Sequence, residues 1–196
     1  MATEKSNKAA NPAQNPDMDL PDEGGLEFAQ FAAGCFWGVE KAFLRVEGVV
    51  KTEVGYSQGD VPDPDYMLVC SGTTNHAEVV RIQFDPSVCP YTTLLSIFWG
   101  VHDPTSLHGQ DNSAGTQYRS GIYYYNEEQA RLAGETMEAM QRKMETKKIV
   151  TEILPAKTFY RAEEYHQQYL LKNGGACKRR SSAGTGCTAG SIPCFG

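Results

Sequence analysis

The stretch Gly34-Cys35-Phe36-Trp37-Gly38 decides how the rest of the chain is read. Ahead of it, Leu26-Glu27-Phe28-Ala29-Gln30-Phe31 alternates apolar with other residues and has the period of a strand. Behind it, Val39, Ala42, Phe43 and Val46 recur at helical spacing, and Gly48 is a natural stop. A single cysteine therefore sits where a strand turns into a helix. The unpaired N–H groups at a helix start favour negative charge, and a thiolate is a charge that such an end stabilises. Gly34 lets the backbone turn tightly and lets a substrate come close. Phe36 and Trp37 would wall off an apolar group and exclude water. From these residues alone, a buried thiol packed against two core aromatics is the open alternative.

A helix end cannot carry a reaction by itself. An ordinary thiol is about 3% ionised at pH 7, so full ionisation gains roughly 30-fold, or about 2 kcal/mol. Enzymes commonly supply about 8 kcal/mol or more. If Cys35 is a nucleophile, other groups must act on the substrate.

The composition restricts the setting. The 196 residues suffice for one ordinary domain with a core. Hydrophobic residues make up 40% and charged residues 21%, as in a soluble globular protein. A net charge of -6 argues against a general nucleic-acid binder. No apolar run approaches the roughly 20 residues of a membrane span. Residues 1–24 are polar and rich in Asn, Pro and Asp, without a signal-peptide core or an arginine. They are expected to form a disordered tail on a cytoplasmic protein. Six cysteines occur, at positions 35, 70, 89, 177, 187 and 194. In a reducing compartment they are not expected to form a structural disulfide framework.

Along the chain, 48–57 reads as a strand, 66–69 as a short helix or strand, and 77–84 as a β-branched strand. A mostly buried helix follows at 91–102. The loop at 103–115 is long enough to be functional. Next come a strand at 120–125 and a helix opened by Asn126, where Gln129 three residues on resembles a capping box. Leu132, Thr136, Met137, Met140 and Met144 line one face of that helix. A strand at 149–154 and a helix at 162–172, with Tyr165, Tyr169 and Leu170 inward, complete the body. The mixture without strict βα alternation predicts an α+β fold, helices packed on a mixed or antiparallel sheet. Residues 25–173 form the predicted catalytic domain, and 174–196 a flexible Gly/Ser-rich tail.

Tail cysteines make sense if they must reach a distant sulfur. A thiolate that attacks an oxidised substrate ends as a sulfenic acid, which a second thiol condenses to a disulfide. A flexible tail supplies that thiol at high effective concentration, with Cys187 and Cys194 the natural candidates. A zinc site is the alternative, but cysteine spacings of ten and seven, with no Cys-x-x-Cys pair, do not match common patterns. Glu40, about 140° around the helix from Cys35, is expected to face solvent. Glu78 opens an apolar strand, where burial would raise a carboxyl pKa; a strand-edge surface charge is the alternative.

The run Gly34-Cys35-Phe36-Trp37-Gly38-Val39-Glu40 resembles the methionine sulfoxide reductase A family. The likeness continues through Val54-Gly55-Tyr56, His76 to Val80, His102 to Thr105, Gly115 to Ser120 and Ala162 to Tyr169, in family order over roughly residues 26–172. The end of the chain is similar to the plant-type version. The resemblance implies a two-layer α/β sandwich with irregular flanks, reducing the S-epimer of methionine sulfoxide, free or in proteins, to methionine. It implies that Cys35 attacks the sulfoxide sulfur and becomes a sulfenic acid. It implies that Phe36 and Trp37 hold the substrate methyl group, while Tyr56, Glu78 and Tyr118 surround the oxygen, with Glu78 as the acid. Cys187 and Cys194 would relay the oxidation to a disulfide that thioredoxin reduces, and Cys177 aligns with a recycling cysteine of other relatives. Neither metal nor organic cofactor is implied, and a monomer is expected. The family's aspartate two residues before the Gly-Thr-Gln-Tyr block is Ser113 here, and its role is not transferred to Asp111. Cys70 and Cys89 read as ordinary packed residues. The rivals are a Cys35 thiol peroxidase or persulfide transferase, and a zinc-holding or redox-sensing module.

Overall fold

The protein is described from a computed structural model, which covers residues 24–110 and 113–174. Asp111, the first 23 residues and the tail cysteines Cys177, Cys187 and Cys194 lie outside the described residues. A six-stranded mixed sheet is the frame, built from β1 (Glu27–Ala33), β2 (Val49–Ser57), β3 (Ala77–Phe84), β6 (Ser120–Tyr124), β7 (Glu152–Pro155) and β8 (Tyr160–Arg161). Its order is β7-β6-β1-β3-β2-β8, and every pairing is antiparallel except β6 with β7. The helices are α1 (Phe36–Phe43), α2 (Tyr66–Cys70), α3 (Tyr91–Gly100), α4 (Glu127–Lys143) and α5 (Tyr169–Lys172). The loop after α3 carries a two-stranded ribbon, β4 (Gly109–Gln110) and β5 (Ser113–Ala114), and a 3-10 turn at Thr116–Tyr118.

The central strand β3 is buried along its whole length, which explains its apolar run. One face of it, Val80, Ile82 and Phe84, joins Ala29 and Phe31 of β1 and Val54 of β2 in the main core. There Phe31 stacks on Phe43 of α1 at 5.5 Å and on Phe98 of α3 at 5.3 Å. The opposite face, Val79, Arg81 and Gln83, lies with Phe159 and Tyr123 under the segment that follows β7. On that side Arg81 Nη2 meets Glu53 Oε2 at 2.6 Å, and its guanidinium lies 4.0 Å from the Phe159 ring centroid. Gly55 lets β8 approach, because a Cβ there would strike the Tyr160 carbonyl and the Phe159 ring.

Asn126 caps α4, its Oδ1 accepting the Gln129 N–H at 2.9 Å. The return bond of the expected box goes one residue earlier, from Tyr125 N–H to Gln129 Oε1 at 3.0 Å. Two expectations fail. The helix read at 162–172 exists only at Tyr169–Lys172; residues 164–168 are turns, and Tyr165 is 58% exposed rather than inward. The reason is side-chain competition for the backbone. Gln167 accepts from Val54 N–H and donates to the carbonyls of Val54 and Ala162. Gln168 stands in the left-handed region with φ 51°.

Glu40 is the second correction. It is 1% exposed, not solvent-facing. Its Oε1 accepts from Thr52 Oγ1 at 3.0 Å and its Oε2 from Gln168 N–H at 2.8 Å, tying α1 to β2 and to the closing segment. Burial, only partly offset by these bonds, raises its pKa above 4.5. A raised carboxyl pKa contributes stability that is complete below the unfolded value and is lost as pH rises through the folded one. Glu40→Gln can keep both bonds without the charge. The stability advantage of wild type over Glu40→Gln in urea unfolding is expected to shrink as pH rises above 4.5. A growing advantage would show that ionised Glu40 is favoured.

Candidate active site

Four strand ends meet at one edge of the sheet: the last residues of β1 and β2 and the first of β3 and β6. Gly34, at φ +95°, turns the chain out of β1, and a side chain there would strike Gln110. Gln110 is itself held by Asp103, accepting from its N–H at 3.0 Å and donating to its carbonyl at 2.7 Å. The long loop thus seats under the turn. Cys35 follows as the N-cap of α1, half-buried, its carbonyl accepting from Gly38 N–H at 3.1 Å.

The first amide of α1, Phe36 N–H, donates to Glu78 Oε2 at 3.0 Å. Glu78 is 2% exposed, so the surface-charge alternative is excluded. The register pairs Tyr56 directly with Glu78, which brings phenol and carboxyl to the same face beside α1. Tyr118 reaches the same place from the 3-10 turn. Burial, then the charges of Glu78, Cys70, Tyr66 and Cys35, push its hydroxyl far above the ordinary range, so it stays protonated. Tyr56 is raised likewise, by burial first and then by Glu163 and Glu78.

Aromatic rings make the remaining wall. Phe36 lies 5.9 Å from Tyr56 and 5.2 Å from His166, centroid to centroid. Trp37 stacks on Tyr169 at 4.0 Å, and its indole N–H donates to His166 Nδ1 at 3.0 Å. The proton of His166 is therefore on Nε2, which has no hydrogen-bond partner and stands 3.7 Å from Glu163 Oε2. Glu163 accepts from Tyr56 O–H at 3.0 Å and from Tyr66 N–H at 2.9 Å. Cys35, Phe36, Trp37, Tyr56, Glu78 and Tyr118 thus gather at one sheet edge. Glu163, His166 and Tyr169 were given no role by the sequence reading. Their signals were the family-like block from Ala162 to Tyr169 and its clustering of Glu, Tyr and His within seven residues. Cys70, half-buried at the end of α2, borders the site through its effect on Tyr118, while Cys89 is buried elsewhere in the core. Among the described residues, no group of three His, Cys, Asp or Glu side chains is placed to hold a metal.

A thiol at a helix start, a buried carboxyl bonded to the next residue and an aromatic wall make an arrangement that can serve thiol chemistry on an apolar group carrying one polar atom. The profile of the peptide methionine sulfoxide reductase family matches residues 27–187. A peptide methionine sulfoxide reductase of Solanum lycopersicum is 68% identical over 97% of this chain and 96% of its own length. Reductase A1 of Arabidopsis thaliana is 58% identical over 94% of this chain and 89% of its own. Among solved structures, reduced Mxr1 of Saccharomyces cerevisiae superposes with TM-score 0.73 at 36% identity, covering 85% of this chain and 91% of that one. Methionine sulfoxide reductase A of Corynebacterium diphtheriae gives 0.73 at 35%, covering 91% and 89%. The chain belongs to the peptide methionine sulfoxide reductase family.

Burial lowers the pKa of His166 to about 4, against the opposing pull of Glu163. The Trp37 bond needs the unprotonated Nδ1, so it should persist until that pH. In a Trp99→Phe background, Trp37 fluorescence is expected to stay constant down to about pH 5 and to change with a midpoint near 4. A midpoint near 6.5 would mean a solvated imidazole.

Proposed function

We infer that the chain, as a member of this family, reduces methionine sulfoxide in proteins to methionine, and we propose the following roles for its residues. Cys35 is the nucleophile. Its sulfur attacks the sulfoxide sulfur and forms an S–S bond while Glu78 passes a proton to the sulfoxide oxygen. The hydroxyl then moves to the Cys35 sulfur, so that the substrate S–O bond and the S–S bond break, a Cys35 S–O bond forms and methionine leaves. Two electrons go from Cys35 to the substrate sulfur, and the oxygen stays on Cys35 as a sulfenic acid. The helix start favours the thiolate but contributes only about 2 kcal/mol, so protonation of the departing oxygen is the larger requirement. Phe36 and Trp37 face the methyl group, and Tyr118, held protonated, donates to the oxygen. Separate places for methyl and oxygen select one epimer, assigned here as S.

The observation that carries this reading is the Phe36 N–H bond to Glu78 Oε2, which holds a buried carboxyl against the residue after Cys35. One tail thiol, of Cys187 or Cys194, then condenses with the sulfenic acid, forming a disulfide with Cys35 and releasing water. The other tail thiol attacks that disulfide and displaces the Cys35 thiolate, leaving a Cys187–Cys194 disulfide that thioredoxin reduces. Yeast Mxr1 in complex with Trx2, 25% identical with TM-score 0.51 and covering 76% of this chain and 87% of that one, supports the choice of reductant. The catalytic domain at 25–173 and the tail at 174–196 belong to the same proposal. So does a cytoplasmic location. Among the described residues no helix is long and apolar enough to cross a membrane. Two plant relatives are named chloroplastic, so the family alone does not fix the compartment.

Cys35→Ser is expected to abolish methionine formation, and Glu78→Gln to slow single-turnover formation by roughly 100-fold. With pure sulfoxide epimers only one should be consumed; turnover of both at equal rates would reject the two-subsite pocket. After one turnover without reductant, mass mapping should find a tail disulfide ending at Cys194 or Cys187. An oxidised chain with all tail thiols free would reject the relay.

A further inference from the structure

Tyr56 is fully buried and its hydroxyl has one proton, which it donates to Glu163 Oε2 at 3.0 Å. What remains for any other polar group is a lone pair. Glu163 is not free to turn away, because its other oxygen accepts the Tyr66 N–H at 2.9 Å, at the first residue of α2. The Tyr66 ring in turn packs on His166 at 4.6 Å. Tyr56 is also the register partner of Glu78, so its oxygen stands on the side of the sheet where the proton is delivered.

A bare sulfoxide oxygen is an acceptor and finds no donor in a Tyr56 oriented this way. The same oxygen, once protonated by Glu78, is an O–H donor. We propose that Glu163 is a positioning residue that makes Tyr56 a hydrogen-bond acceptor for the protonated oxygen, so that this side of the pocket recognises the reacting state rather than the resting sulfoxide. This rests on the roles given above to Cys35 and Glu78. The Glu78 O–H bond breaks and an O–H bond forms on the sulfoxide oxygen, leaving Glu78 as a carboxylate. Cys35 supplies the electron pair to the substrate sulfur. The substrate S–O bond breaks, a Cys35 S–O bond forms, and the oxygen keeps its proton as it passes to Cys35, still directed at Tyr56. An interaction made only after protonation raises the rate at saturation without tightening substrate binding.

Single-turnover methionine formation without reductant tests this, read as the saturating rate and the half-saturating sulfoxide concentration. Glu163→Gln presents an amide N–H to Tyr56 and frees the phenol proton for the substrate. The saturating rate should fall about tenfold or more while the half-saturating concentration stays constant or falls. Glu163→Asp, which keeps an acceptor, should recover part of the rate. In a Tyr56→Phe background the Glu163→Gln substitution should change the rate less than about threefold. An equal loss in both backgrounds, or a raised half-saturating concentration at unchanged rate, would overturn the inference and leave the Cys35 and Glu78 roles standing. Full turnover by Glu78→Gln would instead sink those roles first. A measurement on the unaltered protein does not depend on the variants folding. Methionine sulfoximine, with an N–H where methionine sulfone has a second acceptor oxygen, should inhibit more strongly than the sulfone by about threefold or more. Equal inhibition, or a tighter sulfone, would overturn the proposal.

Discussion

The bond from the first amide of α1 to the buried carboxyl of Glu78 is the constraint on which the site depends. It requires β1 to end at Ala33, Gly34 to turn with positive φ, and α1 to start at Phe36. It also requires β3 to begin at Ala77, so that Glu78 falls on the helix-covered face with Val80, Ile82 and Phe84. A slip of one residue in β3 would turn the carboxyl to the opposite face, among Arg81 and Gln83. The packed alternation of β3 therefore does more than build a core. It holds a buried carboxyl against the residue that follows Cys35.

The second element of the site is less regular. Residues 163–169 bring Glu163 to Tyr56, His166 to Trp37 and Tyr169 onto the indole face. A helix through this segment would satisfy its backbone internally and distribute these side chains around its axis. Instead Gln167 and Glu40 take over the backbone bonding, one on β2 and one from α1. A buried carboxylate such as Glu40 costs stability unless its partners are in place, so it also ties formation of this strap to the docking of α1.

Much of the frame was legible in local signals. Asn126 and Gln129 marked the start of α4, the β-branched run marked β3, and the glycine before Cys35 marked the turn into α1. The family blocks placed Cys35, Phe36, Trp37, Tyr56, Glu78 and Tyr118 together, and the fold brings those six to one sheet edge. The helical angle between Glu40 and Cys35 does not report exposure, and Glu40 is buried. The far side of α1 is covered by Thr52 and Gln168, which no spacing argument contains. Tyr165 was turned inward by the same assumption of a regular helix.

The sequence by itself determined the thiol at a strand-to-helix turn, the mixed order of strands and helices, and the net negative charge of the chain. These follow from period, capping and turn chemistry, which act within a few residues. Only the tertiary structure decided that Glu78 is an interior carboxyl, that Glu40 is a buried tie and that the Tyr56 proton belongs to Glu163. Burial and hydrogen-bond direction are properties of pairs distant in the chain, 42 positions for Phe36 and Glu78 and 107 for Tyr56 and Glu163. They come into being when the sheet register closes.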